Sequence, residues 1–309
     1  MVQKNNLNNK IIVICGPTAS SKTALSVAFA KKIDGEIISA DSMNVYKGLD
    51  IGTAKPTKDE MEGVIHHLID VVSPFDTFSV GDYKELARPI INDILSRGKT
   101  PIVCGGTGFY VNSILYDFSY GNTPANIESR EKYKSLAEEH GNAYVFNILK
   151  EKDPKTAEKL HENDLKRVIR ALEICESGRV KSEIVDEMIP VYDYSAYYID
   201  FPREVLYDRI NRRVDIMVEN GLINEIKDLL NQGVNETHQC MQGIGYKEIL
   251  PYVNGETDLN TAIEQIKLNT RHYAKRQLTF FKRLNGLKAL TPDCVENLAD
   301  QIIADLSEK

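Results

Sequence analysis

The segment "KIIVICGPTASSKTALSVAFAKKI", residues 10–33, constrains the fold more than any other part of the chain. An apolar run is followed by a short polar loop and then by a helical pattern. The loop approaches the pattern of a phosphate-binding loop, which is Gly, any four residues, Gly, Lys, then Ser or Thr. In such a loop the backbone N–H groups and the helix N-terminus point at phosphate oxygens. The segment therefore predicts a phosphate-binding turn, and a polar turn without a ligand is the alternative.

The eight loop residues are the candidate phosphate contacts. Lys22 adds positive charge, and the Thr23 hydroxyl can ligate Mg²⁺, the expected cofactor. Ser21 stands where the pattern has its second glycine; if that position needs a positive φ, serine costs about 1 kcal/mol. The candidates are Gly16, Pro17, Thr18, Ala19, Ser20, Ser21, Lys22 and Thr23.

The order of apolar runs and helical patterns predicts the fold class. In the first third, "IIVIC", "EIISA" and "TPIVC" alternate with helical segments, as in a parallel sheet with covering helices. From about residue 119 to 195 only short helices are predicted, and after the strand "AYYIDF" the chain is mainly helical. We expect an α/β core domain, residues 1–118 and 196–309, a helical insertion domain, residues 119–195, and a helical C-terminal part.

Composition narrows the class of protein. The 309 residues are 42% hydrophobic and 27% charged, which is ordinary for a globular chain. No apolar run approaches the roughly 18 to 20 residues of a membrane span, and the first residues lack the apolar middle of a signal peptide. Five scattered cysteines form no Cys-x-x-Cys pair. We expect a cytoplasmic protein with reduced thiols and no membrane partner.

The charge is unevenly distributed. A net charge of −7 argues against a nucleic-acid partner, yet residues 265–292 contain seven Lys or Arg and no Asp or Glu. Lys267, Arg271, Lys275 and Lys282 are predicted on roughly one face of a helix. This run favours contact with RNA or nucleotide phosphate, and a solvated amphipathic helix is the alternative.

Further candidates follow the other strands and one helix. Asp41 comes directly after "EIISA", so it is expected at the sheet edge that carries the loop, as a magnesium ligand, a proton acceptor or a helix cap. Thr107 follows Gly105-Gly106 and by itself suits a helix cap. Arg209 and Arg213 lie four residues apart on one helix face, and with Arg212 they form a cluster that suits a diphosphate opposite Lys22; solvated surface arginines are the alternative. The pair His66-His67 is interpreted as structural.

The motifs together resemble the tRNA dimethylallyltransferase family, also called tRNA isopentenyltransferases, in its bacterial form. They are "GPTASSKT", "SADSMNVYKGLDIGTAKP", "GGTGFY", "RVDIMVENGL", "QGIGYKE" and "TRHYAKRQLTFFKR", in order over nearly the whole chain. The resemblance implies a P-loop fold that moves a dimethylallyl group from dimethylallyl diphosphate to N6 of adenine 37 in tRNAs reading codons that start with U. Where the family usually has glycine, this chain has Ser21.

The resemblance also implies roles for residues. Asp41 is the expected general base, Arg213 and the loop stabilise the departing diphosphate with Mg²⁺ at Thr23, and Thr107 places the target adenosine. The expected partner is the anticodon stem-loop of tRNA, clamped by the insertion, and the protein is expected to be a monomer. Expected tRNA contacts are Asp41, Ser42, Met43, Asn44, Thr107, Arg130, Lys166, Arg167, Val168, Ile169, Arg170, Gln242, Gly243, Ile244, Gly245, Tyr246, Lys247, Arg271, Lys275 and Arg276.

Three alternatives remain open from the sequence. An adenylate isopentenyltransferase would perform the same chemistry on a free adenine nucleotide. A small-molecule or nucleoside kinase would hold ATP in the loop, with Asp41 deprotonating a hydroxyl. A non-catalytic RNA-binding protein would use only the basic helix.

Overall fold

The structure is a computed structural model that describes residues 10–118, 126–184 and 187–308. Its contacts divide the chain into two compact units. The core unit comprises the described residues up to Leu115 and from Pro190 onward, and the helical unit is Tyr116–Ile189. These bounds lie a few residues before the expected 119–195. The second boundary is earlier because Val191 already bonds to Leu115 in the core unit, and the strand that follows begins at Asp193.

A parallel sheet forms the centre of the core unit, and the predicted fold class is confirmed. Within the described residues the sheet has six strands in the order β3-β2-β4-β1-β5-β6, every neighbouring pair parallel. The strands are β1 Lys10–Cys15, β2 Glu36–Ser39, β3 His66–His67, β4 Pro101–Gly105, β5 Asp193–Ile199 and β6 Leu287–Leu290. The two edge strands, β3 and β6, are absent from the sequence prediction because their short segments are not solidly apolar.

Helices cover both faces of the sheet, as parallel strands with buried faces require. In the core unit they are α1 Lys22–Ile33, α2 Lys58–Met61, α3 Val80–Ser96, α4 Gly108–Leu115, α9 Arg203–Glu219, α10 Leu222–Asn231, α11 Tyr246–Val253, α12 Leu259–Phe281 and α13 Val295–Ser307. In the helical unit they are α5 Ile127–His140, α6 Asn142–Lys152, α7 Pro154–Ala157 and α8 Leu165–Glu176. Among the described helices, none combines the length and apolar character that crossing a membrane would take.

The sheet register brings three polar loops to one edge. Cys15 at the end of β1 lies opposite Gly105 at the end of β4, and Ser39 at the end of β2 lies opposite Cys104. The loop after β4 approaches the β2 backbone closely: a Cβ on Gly105 would lie 2.1 Å from the Ala40 carbonyl oxygen. Only glycine fits there, so the segments after β1, β2 and β4 lie side by side.

The helical unit has its own apolar core. Buried residues of α5, α6 and α8, together with Ala157, form one cluster. Inside the unit the Glu173 carboxylate is fully buried and is held by Arg130 at 3.0 Å and by the Asn126 backbone N–H at 2.9 Å. A buried charge needs such partners, so this pair stabilises the packing of α5 against α8.

Candidate active site

The loop between β1 and α1 has the conformation of a narrow anion-binding turn. Gly16 has φ of 140°, and Ala19 and Ser21 have φ of 60° and 58°, in the left-handed region that disfavours residues with a Cβ. The Ser20 hydroxyl donates to the Pro17 carbonyl at 2.8 Å. The position of Ser21 therefore does require positive φ, and serine carries there the cost that glycine would avoid.

Arg209 of α9 holds the two left-handed residues. Its Nε donates to the Ala19 carbonyl at 2.8 Å, and its Nη2 donates to the Ser21 Oγ at 2.5 Å. The guanidinium also lies 4.8 Å from the centre of the Phe201 ring. Arg209 was expected to face a diphosphate directly, but its Nε and Nη2 donate to the loop itself.

Lys22 and Arg213 are two cations of the site that remain available to a ligand. Lys22 Nζ donates to the Pro17 carbonyl at 3.2 Å, and Arg213 Nη2 donates to the Thr53 carbonyl at 3.4 Å. Among the described residues neither makes a salt bridge, and the buried Nε of Arg213 has no hydrogen-bond partner. Burial lowers the pKa of both groups, and attraction to Asp41 opposes that shift. Two partly buried cations without a carboxylate partner among the described residues mark a candidate site for an anion.

Arg212, the neighbour of Arg213, does not share this site. It is exposed and pairs with Asp208 at 2.9 Å. It lines a second groove, of about 770 Å³, together with Lys31, Lys32 and Arg209. Lys22, Thr23 and Arg213 line both this groove and the inner cavity described below, so the groove leads to the candidate anion site.

Asp41 begins a turn after β2 and caps no helix. Its Oδ1 accepts hydrogen bonds from the backbone N–H groups of Met43 at 2.9 Å and Asn44 at 3.4 Å. Within the described residues Oδ2 has no hydrogen-bond partner and is available to a ligand. Thr107 lies beside this turn: its Oγ1 accepts from the Ser42 backbone N–H at 3.0 Å and donates to the Ser42 Oγ at 3.3 Å.

One cavity of about 430 Å³ collects most of the predicted residues of the core unit. The loop, the Asp41 turn and the segment after α10 contribute to its wall. Tyr246 does not reach it, because its side chain is fully buried and donates to Glu225 at 2.7 Å; the predicted tRNA contact by this side chain is corrected. Lining the cavity are Thr18, Lys22, Thr23, Asp41, Ser42, Met43, Asn44, Arg213, Gln242, Gly243, Ile244, Gly245, Lys247 and Arg276.

Two residues of α12 belong to the site although the sequence analysis gave them no role. The Gln277 side chain accepts from the Thr18 N–H at 3.0 Å and donates to the Gly106 carbonyl at 2.9 Å, so it joins two loops. Tyr273 lines the cavity, and burial, with Asp41 nearby, raises its pKa to about 12. Tyr273 lies three residues before Arg276, and Gln277 lies four residues after Tyr273, so helical spacing could have pointed to both.

The predicted basic face of α12 needs correction. Lys267 is held by Asp215 at 2.8 Å and Glu264 at 3.1 Å, and Arg271 donates to Asn211 at 2.7 Å. These two residues are therefore occupied by α9 contacts and a local pair. Lys275 and Arg276 are exposed and remain available to RNA.

In the helical unit, the five residues "KRVIR", 166–170, and Arg130 differ in how accessible their side chains are to RNA. Lys166 and Arg167 are exposed, whereas Arg130 and Arg170 contact the buried Glu173 at 3.0 and 3.5 Å. The side chains of Val168 and Ile169 lie in the unit's core. They cannot contact RNA, so this part of the prediction is wrong for those two side chains.

The donors for a metal ion are few. The described residues contain no group of three or more His, Cys, Asp or Glu side chains that could hold a metal. The Thr23 hydroxyl and the Asp41 carboxylate line the same cavity, which fits an ion held mainly by a ligand's phosphate oxygens and water.

The histidine pair His66-His67 lies in β3. The His67 ring bonds to the Glu36 carboxylate at 2.9 Å, a contact within the sheet.

The sheet order and the strand–loop–helix turn define an α/β protein of the P-loop-like class. Matches to models of protein families identify the family within this class. A model described as IPP transferase matches residues 44–284, and one described as Isopentenyl transferase matches residues 9–72.

Similar proteins agree with the family models. A tRNA dimethylallyltransferase from Acetivibrio thermocellus is 48% identical over 289 residues, 92% of each chain. One from Caldanaerobacter subterraneus subsp. tengcongensis is 46% identical over 309 residues, 97% of this chain and 98% of that protein. The chain belongs to the IPP transferase family.

Solved structures share the fold. The crystal structure of the full-length tRNA isopentenylpyrophosphate transferase from Bacillus halodurans is 42% identical, with a TM-score of 0.73 and 97% of each chain covered. A structure of a eukaryotic dimethylallyltransferase acting on tRNA is 32% identical, with a TM-score of 0.81, and covers 96% of this chain and 78% of that one.

Proposed function

We propose that this protein transfers a dimethylallyl group from dimethylallyl diphosphate to N6 of adenine 37 in tRNAs reading codons that start with U. The bond between the donor's C1 and its diphosphate oxygen breaks as the bond between C1 and N6 forms. The diphosphate leaves with the electron pair, and N6 loses a proton. The products are N6-dimethylallyladenosine in tRNA and diphosphate.

The observation that carries the proposal is the arrangement of Lys22, Arg213 and Asp41 around one cavity. Two partly buried cations that have no carboxylate partner among the described residues can stabilise an anion, and a departing diphosphate develops negative charge as the bond to C1 breaks. One carboxylate on the same wall accepts the proton from N6. A kinase would need the same cradle; what favours prenyl transfer to RNA is that Asp41 shares the cavity with the exposed cation Arg276.

Asp41 is prepared for proton transfer by its backbone contacts. The N–H groups of Met43 and Asn44 fix Oδ1, so Oδ2 is turned to the ligand. Thr107, fixed by Ser42, offers a hydroxyl beside this carboxylate for placing the adenosine. Because the acceptor atom lies on a base within an RNA loop, the adenine must leave its stack to enter the cavity.

Mg²⁺ is the proposed cofactor. The Thr23 hydroxyl would hold it together with phosphate oxygens and water, and when bound it would neutralise charge on the diphosphate. The loop N–H groups and Lys22 orient the same phosphates, and Arg213 covers them from α9. All these groups come from one chain, so we propose that a monomer is the active unit.

The test supplies unmodified tRNA with dimethylallyl diphosphate labelled in the prenyl group, or with ATP labelled in its γ-phosphate. We expect label in the tRNA only from the prenyl donor, and none when adenine 37 is replaced by guanine. Label that enters tRNA only from ATP would overturn the proposal in favour of a kinase. Free AMP as acceptor tests the adenylate alternative, and efficient prenylation of AMP with none of tRNA would favour it.

A further inference from the structure

The outer side of α12 carries a shallow groove that the proposed chemistry does not use. Six residues at helical steps of three and one line it: His272, Lys275, Arg276, Thr279, Phe280 and Arg283. Such spacing places the first five along one stripe of α12, and Arg283 follows just after the helix ends at Phe281. We refer to these six residues as the outer groove of α12.

The groove is positively charged without compensation. Lys275, Arg276 and Arg283 are exposed, and within the described residues none of them makes a salt bridge. The sequence has no Asp or Glu between residues 265 and 292. In a chain of net charge −7, such a stripe attracts a polyanion rather than another part of the protein.

An aromatic pair borders the cations. The Phe109 and Phe280 ring centres lie 5.4 Å apart with their planes tilted by 60°. Phe109 is 60% exposed, so its ring is accessible to a ligand. Gly108 makes the pairing possible, because a Cβ there would lie 2.2 Å from the Phe280 ring.

The groove is continuous with the cavity that holds Asp41. Arg276 lines both the cavity and the outer groove, and its guanidinium lies 5.7 Å from the centre of the Tyr273 ring. A strand whose target base entered the cavity would therefore lay a neighbouring nucleotide against Phe280. Cations for the backbone and aromatic rings for bases are the combination that binds single-stranded nucleic acid.

We propose that Phe280, supported by Phe109, is the stacking surface for the unpaired base next to the target adenine. The inference rests on the proposed function and adds a recognition element to it. Stacking tolerates any base, because every base has a π-face. The pair thus helps to keep the target base out of its stack, while Arg276 and Lys275 contact the backbone.

The decisive experiment uses the unaltered protein and an anticodon stem-loop RNA. A photoreactive 5-iodouridine replaces the nucleotide on either side of the target adenine, one side at a time, and cross-linked peptides are mapped by mass spectrometry. We expect one of the two positions to cross-link to Phe280 or Phe109. Cross-links at both positions that map only to other residues would overturn the proposal.

Variants supply an independent measurement. F280L removes the ring but keeps an apolar side chain, and we expect it to raise KM for the RNA about tenfold while KM for the prenyl donor is unchanged. F280W keeps a stacking surface and should retain the wild-type KM. Leu268→Ala is the matched control, an exposed apolar residue of the same helix outside the groove.

The outcomes separate the two proposals. An F280L variant with wild-type KM for the RNA would count against the stacking surface. An unaltered protein that prenylates no RNA would count against the proposed function, whereas the cross-link still decides by itself whether a base lies on the aromatic pair.

Discussion

Arg209 holds Ser21 in a backbone conformation that serine disfavours. The Arg209 guanidinium donates to the Ser21 Oγ at 2.5 Å and to the Ala19 carbonyl at 2.8 Å, and both residues have φ near 60°. A glycine at position 21 would need no such support. The chain therefore combines a less suitable loop residue with a cation that fixes it.

Replacing Arg209 should loosen the loop more than it affects the chemistry. We expect R209A to raise KM for dimethylallyl diphosphate about tenfold, with a smaller change in kcat, because the loop N–H groups must then be ordered by the ligand. Adding S21G should restore part of the loss. Steady-state kinetics of the two single variants and the double variant measure this, with R212A as the exposed control on the same helix.

The rescue by S21G distinguishes the loop from other roles of Arg209. If R209A and R209A/S21G have the same KM for the donor, Arg209 does not act through the strained serine. The Ala19 contact would remain, so complete rescue is not expected.

Replacing Asp41 should remove catalysis while RNA is still bound. We expect D41N to lower kcat by roughly 10²- to 10⁴-fold, the usual contribution of a general base. The amide keeps the acceptor oxygen for the Met43 and Asn44 N–H groups, so the turn should persist. Single-turnover prenylation and filter binding of tRNA measure the two effects. Prenylation by D41N at the wild-type rate would exclude Asp41 as the base.

Lys22 should destabilise the protein when no ligand is bound. Burial lowers its pKa, so the charged form is less favourable in the folded protein, and at neutral pH, below the unfolded pKa, this costs stability. We expect K22M to raise the Tm of the ligand-free protein by a few degrees, on the order of the ~1–2 kcal/mol that a lost buried charge returns. Diphosphate at saturating concentration should raise Tm of the wild type and not of K22M. Equal ligand-induced shifts in both proteins would show that Lys22 does not contact the anion.

Much of this arrangement follows from the sequence because the ends of neighbouring parallel strands share an edge. Asp41 and the 16–23 loop could be predicted together for that reason, and solidly apolar strands indicated the buried sheet. The contact between Arg209 and the loop spans 190 residues and depends on how α9 packs, which no local pattern encodes. The two-residue strand β3 gave no signal because its side chains are polar and it lies at the sheet edge.

The helical patterns predicted only in part which side chains of α8 and α12 are exposed and free to bind RNA. In α8 the basic string "KRVIR" predicts tRNA contacts, yet its central Val168 and Ile169 follow the apolar period and are buried. In α12 the acidic partners of Lys267 include Asp215, which lies on another helix. Charge along a sequence therefore identified the basic helix but not which of its cations are free for RNA.

A buried carboxylate of the sheet should make stability depend on acid. Arg97, then His67 and Lys99, hold the pKa of Glu36 at about 2, although its burial acts in the other direction. A lowered pKa stabilises the fold above the unfolded value, and that stability is lost as the pH falls from about 4.5 through about 2. We expect E36Q to flatten the decline of the free energy of unfolding over this range in urea titrations. E62Q, at an exposed pair with Lys31, is the control and should match the wild type.

The available cations of α12 should set the salt dependence of RNA binding. Lys275 and Arg283 are exposed and make no salt bridge among the described residues, so each can displace a counterion from RNA. We expect K275A and R283A each to reduce the slope of log K against log salt by about 0.7, the value for a single-strand phosphate contact. K267A is the matched control, because Lys267 is already held by Asp215 and Glu264 and should leave the slope unchanged. Binding of the stem-loop RNA measured at several salt concentrations gives these slopes. A reduced slope in K267A, with K275A and R283A unchanged, would move the RNA contact to the side of α12 that packs against α9.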